Sequence, residues 1–190
     1  MPKRPAPKHQ QYRNKLLKFK YDSNKAIQAI LWLAHKHGGA IDKLKLVKLI
    51  FFADRDHLEK FGRPIVGGPY VAMKHGPVPS NLLDYIDCAV EGSGSPFKLD
   101  NPKVIALAPV NEDELSESDI QSLGHANDLF GHLDTFSLRN LTHKLKAWSK
   151  NYLRPSENTS YPLPYEDFFL DLDDDEILEI ILDHQESLDF

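Results

Sequence analysis

The chain has 190 residues, 41% of them hydrophobic and 27% charged, with a formal net charge of −5, the make-up of a globular protein long enough to bury a core without covalent staples. Its single cysteine, Cys88, excludes an intramolecular disulfide and a cysteine-based zinc pattern. No run of about eighteen apolar residues occurs and no apolar segment follows the basic start MPKRPAPKHQQYRNK, so neither a membrane span nor a secretory leader is expected, and the expected location is the cytoplasm.

Charge is unevenly laid out. Residues 1–20 carry Lys3, Arg4, Lys8, Arg13, Lys15, Lys18 and Lys20 and no acid, whereas 166–190 is rich in acids and lacks Lys and Arg. The stretch between them is close to neutral. Residues 1–20 therefore read as a basic, flexible arm. Such an arm suits phosphate contact, plain solvation, or docking on the acidic end. Without a nucleic-acid fold signature, contact with nucleic acid through 1–20 is not favoured.

In chain order, Ser23 or Asn24 caps a first helix to about His37, stopped by Gly38-Gly39. Asp42 caps a second, to about Phe61 before Gly62 and Pro64. Its apolar residues, Leu44 to Ala53, wrap most of its circumference, which predicts a central helix covered on all sides. IVGGPYVAMKHGPVPS then reads as a short extended stretch punctuated by glycine and proline. Ser80 opens a third helix on Leu82, Leu83, Ile86 and Val90, stopping at Gly92. Lys103–Ala108 predicts a strand that pairs near Pro69–Met73. Ser116 or Ser118 begins a fourth helix on Leu123, Ala126, Phe130 and Leu133. Ser137 begins a fifth, with Leu138, Leu141, Leu145 and Trp148 on one face and His143 well away from it. Residues 154–165 read as irregular, and a last helix is expected over 174–187, its acidic start matching the positive end of a helix dipole. The expected fold is mainly α with a small β element: a compact helical domain around a central buried helix, with a short strand pair or hairpin.

Chemistry-bearing motifs are sparse. There is no phosphate loop, nucleophile elbow or helical His-Glu-x-x-His. Asp54 and His57, three apart on the second helix, are within reach of each other as a carboxylate-oriented imidazole, and with His75 and His143 they sketch a metal set. The favoured reading makes Asp54 and Arg55 ion-paired residues of a helix leaving the core. Lys45, Lys48, Phe52, Arg55 and Glu59 share one stripe of that helix. An aromatic among basic residues suits a protein-binding patch or an internal cation–π contact, and both stand.

The motifs KLVKLIFFADRDHL, GRPIVGGPYVAMKHGPVP, Leu115-Ser116 and FSLRNLTHKLKAW, in this order over about 23–150, resemble the Panacea domain, also called SocA-like. The family's Lys-Leu-x-Lys-Leu…Phe-Ala run matches Lys45, Leu46, Lys48, Leu49, Phe52 and Ala53. Its Gly-Pro-Val turn matches Gly76, Pro77 and Val78, and its Thr-His…Trp matches Thr142, His143 and Trp148. The resemblance implies a helical domain over 21–153; the basic arm before it and the end over 154–190, read from the residues as a proline-rich linker and an acidic helix packing on the domain, lie outside the resemblance. It implies a bacterial or phage-borne antitoxin without catalytic activity, encoded beside a toxin gene. Such an antitoxin neutralises its cognate toxin by direct binding or, in one branch, delivers it to a protease. The expected partner-contact residues are Lys45, Lys48, Phe52, Asp54, Arg55, Lys74, His75, Gly76, Pro77, His143 and Trp148. No catalytic residue, metal or cofactor is expected, and homo-oligomerisation stays open. No helix-turn-helix pattern is present, so a nucleic-acid-binding phage protein is the lesser alternative.

Overall fold

The computed structural model describes residues 17–89, 94–152 and 160–170. Helix α1 spans Ser23–Lys36 and is capped by Asp22, whose carboxylate accepts the Lys25 N–H. Strand β1, Ala40–Asp42, leads into α2, Lys43–Phe61. Asp42 caps α2 by accepting from the N–H groups of Leu44 and Lys45, and Gly62, at φ 77°, ends it in the left-handed conformation that glycine adopts freely. Strands β2, Tyr70–Met73, and β3, Gly76–Pro79, form a hairpin before α3, Ser80–Asp87. A second hairpin follows: β4, Phe97–Asp100, and β5, Lys103–Ala106. Then come α4, Glu117–Phe130, α5, Thr135–Lys144, α6, Lys146–Asn151, and β6, Tyr161–Leu163. The fold is mainly α with a small β element.

Every residue of α2 from Leu46 to Asp54 is buried. Apolar side chains leave this helix in all directions, and α1, α4, α5 and β3 cover its sides. Each fully buried Leu, Ile or Phe there contributes about 1.5–3 kcal/mol. Phe51 meets Tyr70 and Phe168 edge-on, and Phe52 stacks on Phe130 at 4.1 Å. The expected central helix is thus where the sequence placed it.

Strand pairing differs from expectation. Two three-stranded antiparallel sheets form, in the orders β1-β5-β4 and β3-β2-β6. The strand at 103–106 pairs with 97–100 and 40–42, not with 69–73. Tyr70–Met73 instead takes Gly76–Pro79 on one side and Tyr161–Leu163 on the other. The last of these lies inside the proline-rich stretch read as irregular. Pro162 is tolerated because β6 is an edge strand.

The fifth helix is also split. Asp134, not Ser137, caps α5, and Leu145 takes an extended conformation (φ −64°, ψ 129°) that separates α5 from α6. Two described segments far apart in sequence, at 17–19 and 165–166, also meet. The Phe19 ring sits edge-on to Tyr165 at 4.9 Å, Glu166 accepts the Leu17 N–H, and the Tyr165 hydroxyl donates to the Gly68 carbonyl. Val90 and Gly92, most of the basic arm and the expected helix at 174–187 lie outside the described residues.

Candidate functional site

Lys48 is fully buried, and its ammonium donates to the Pro77 carbonyl at 2.7 Å. Among the described residues it has no carboxylate partner. Burial, and next the charge of Arg139, hold its pKa well below the ordinary lysine value. Gly76 makes this approach possible. It sits at φ 99°, and a Cβ there would lie 2.5 Å from Thr142 Oγ1 and 3.0 Å from Lys48 Nζ. The three motifs therefore interlock: the lysine of α2, the glycine-proline turn of β3 and the threonine of α5.

Around this buried centre lies a basic, aromatic rim. His143 stacks face to face on Trp148, 4.0 Å between ring centroids, and the Trp148 indole donates to the Met73 carbonyl at 2.8 Å. Tyr152 continues the stack at 4.9 Å from Trp148. The break at Leu145 turns Trp148 back onto His143, which an unbroken helix would keep apart; the sequence-based separation of the two is thereby corrected. Arg139 Nε donates to His75 Nδ1 at 3.1 Å. His143 Nε2 is buried without a hydrogen-bond partner among the described residues. Burial, then Arg139, Lys48 and His75, push the His143 pKa down to about 4. His75 is lowered for the same kinds of reason: burial first, then Arg139, Lys74 and Lys48.

The expected contact residues divide into two groups. Lys48, Phe52, Asp54, Gly76 and Pro77 are buried; Lys48, Gly76 and Pro77 close the corner from inside, while Phe52 packs on Phe130 and Asp54 holds the 65–67 loop. The expected patch on Phe52 is corrected accordingly, since Phe130 and its neighbours cover it. Lys45, Arg55, Lys74, His75, His143 and Trp148 retain exposure. Phe136 and Arg139 were missed. Helical spacing from His143 back through Arg139 to Phe136 was the available signal, hidden because Phe136 was not on the apolar seam.

Asp54 is neither paired with Arg55 nor with His57. Its carboxylate accepts from the N–H groups of Ile65, Val66 and Gly67 and from the Tyr70 hydroxyl. Burial outweighs these four bonds and raises its pKa to about 6. It pins the 65–67 loop to α2.

His57 belongs to a different cluster. Its Nδ1 donates to the Arg63 carbonyl at 2.6 Å, leaving Nε2 to face Ser118 Oγ at 3.0 Å and Asp119 at 3.2 Å. Desolvation lowers its pKa, so the neutral ring is favoured. A Ser-His-Asp relay needs serine and carboxylate on opposite ring nitrogens; here both lie on one. Asp119 also pairs with Lys25 and Arg63 and closes the Ser116 capping box. The cluster ties α1, α2 and α4 together. Among the described residues no group of three His, Cys, Asp or Glu is placed to hold a metal ion.

Three of the four ordered motifs thus meet at one corner of the fold, and the fourth, Leu115-Ser116, opens α4 in the His57 cluster. A family model described as antitoxin SocA-like, Panacea domain, matches residues 46–149, more than half of the chain. The chain belongs to the SocA-like Panacea family. Comparison with curated proteins and with solved structures gives no match. The Panacea match begins at Leu46 and ends just after Trp148, so it contains the whole corner from Lys48 to Trp148. It leaves out α1, the Phe19 contact and β6. Membership supports a toxin–antitoxin role in general. Among the described residues no helix is long and apolar enough to cross a membrane.

Proposed function

We propose that this Panacea protein is a cytoplasmic antitoxin that neutralises a cognate toxin by binding it directly, without catalysis. One observation supports the reading above others. Family-motif residues up to 100 positions apart, Lys48 and Trp148, are brought to one corner whose buried centre is rigid and whose rim is basic and aromatic. Rigid placement lowers the entropic cost of docking. An antitoxin needs such a surface and needs no catalytic group. The structural tasks of Asp54, His57 and Asp119 fit a chain without an active centre.

Co-expression with the protein encoded by the adjacent gene tests this. The neighbour should arrest growth alone and be harmless with this chain present, and the two should co-purify. A neighbour that is harmless alone, or toxic in both conditions, removes the proposal. Neutralisation by binding leaves toxin levels unchanged, whereas delivery to a protease lowers them. Ser118→Ala should leave protection intact; lost protection in a folded variant would argue for catalysis.

A further inference from the structure

We propose that the outer stripe of α5, together with the β2–β3 turn, is the surface on which the toxin docks, and that the toxin presents there a carboxylate beside an apolar pocket. The proposal rests on the antitoxin reading and deepens it.

Phe136, Arg139 and His143 are spaced by three and four residues on α5, so their side chains form one row. Phe136 heads the row with 74% of its surface exposed, more than any other large hydrophobic side chain among the described residues. An aromatic ring left in water beside an arginine is the pairing that dominates protein interfaces once it is buried. Arg139 bonds to His75 Nδ1 and to the Asn140 side chain, and among the described residues it meets no carboxylate. Lys74 is exposed on the adjoining turn, and Lys48 lies beneath Gly76.

Five basic side chains therefore gather at one place: Lys48 from α2, Lys74 and His75 from the turn, Arg139 and His143 from α5. Burial first, and then their mutual repulsion, lowers the pKa values of Lys48, His75 and His143. An arriving carboxylate compensates that positive charge and gives Arg139 a charge-assisted bond at Nη2, the nitrogen that His75 and Asn140 do not engage. The exposed phenyl ring has no complement along a duplex backbone and favours a protein as the source of the anion. So does the compactness of the group. Phosphate-backbone binders spread charged Lys and Arg along a track, whereas here the two histidines are held towards neutrality and Lys48 is enclosed.

The test uses the full-length chain and the protein encoded by the adjacent gene, with affinity measured by calorimetry. Phe136→Ala and Arg139→Glu should each weaken binding by at least about tenfold, while Lys103→Glu, on the other sheet, leaves it unchanged. Phe136 is exposed and Arg139 partly so; unaltered thermal midpoints will separate lost contact from lost fold. Docking of a carboxylate raises His75 and His143 from their lowered free values, so the complex takes up protons and should tighten from pH 7 to pH 5, above the free His143 value of about 4. Wild-type affinity in both variants overturns the docking surface and leaves the antitoxin reading standing. Failure of the wild-type chain to bind its neighbour overturns both. Affinity that does not change with pH overturns the carboxylate. Variants that bind the neighbour normally but lose a short DNA duplex reassign the surface to nucleic acid and overturn the proposal.

Discussion

Gly76 carries no side chain where Thr142 and Lys48 close in, and two glycines of this chain are predicted to respond to alanine with opposite sign. Gly76→Ala puts a Cβ 2.5 Å from Thr142 Oγ1 at a φ of 99°, and should cost about 2 kcal/mol or more in chemical denaturation. Gly124→Ala, in the middle of α4 with only Trp32 at 4.0 Å, should stabilise by about 0.5–1 kcal/mol. Lys48 gives a second prediction. Its folded pKa lies below its unfolded one, so between the two the unfolded chain binds more protons and stability rises with pH. Urea titrations at pH 7 and pH 9 should show that rise in the wild type and a flatter response in Lys48→Met, with Lys45, also lowered by burial, leaving a residue of the slope. The sequence placed Lys48 on the least apolar stripe of α2 and left open whether that stripe is a partner surface or an internal contact. Period alone does not say which stripe a later hairpin will cover, and the cover comes from Gly76 and Thr142, far along the chain.

At the level of elements, the ends of α2 and the start of α4 were legible, the caps of α1 and α5 fell instead on Asp22 and Asp134, and strand partners were not legible. Asp42, Gly62 and Ser116 are local signals whose hydrogen bonds lie within a few residues. The pairings of three- and four-residue strands carry too few alternations to specify a register. The α5–α6 break was hidden because Leu138, Leu141, Leu145 and Trp148 keep a helical period through it; the indole bond to Met73 is the compensating contact outside that period. Asp119, inside the capping box of α4, is the ionic link between helices, with Lys25 and Arg63 as its cations. Asp119→Asn leaves these charges partly buried and should cost about 3 kcal/mol. Because the folded pKa of Asp119 is depressed, its contribution is present above about pH 4 and is lost as the pH falls through the folded value. Acid titration of the wild type should therefore show a loss of stability that the variant lacks.

Across the whole molecule, the family-matched segment and the folding unit do not coincide. Phe168, outside residues 46–149, is fully buried against Phe51, Tyr70 and Tyr165. Phe168→Ala should cost about 3–5 kcal/mol, read as a single displaced unfolding transition. A fragment restricted to 46–149 strips α1 and the Phe168 cover from the core and should show no cooperative thermal transition by circular dichroism. The sequence indicated the family corner because its motifs are contiguous runs. It did not indicate that residues near 17–20 and 161–169 close over the same core, since each is short, proline- or lysine-containing and apolar only in company.

The stacked pair of His143 and Trp148 also makes the protein its own optical reporter. The chain has two tryptophans, and Trp32 is buried with the Lys36 ammonium 4.9 Å from its ring, so Trp32→Phe leaves Trp148 as the sole indole fluorophore. An imidazolium in face-to-face contact quenches indole emission far more than a neutral imidazole. In the free chain, emission from Trp148 should therefore dim only as the pH falls to about 4, where His143 takes up its proton. A bound anion at that corner would move the midpoint upward, turning partner capture into a change of brightness that needs no label.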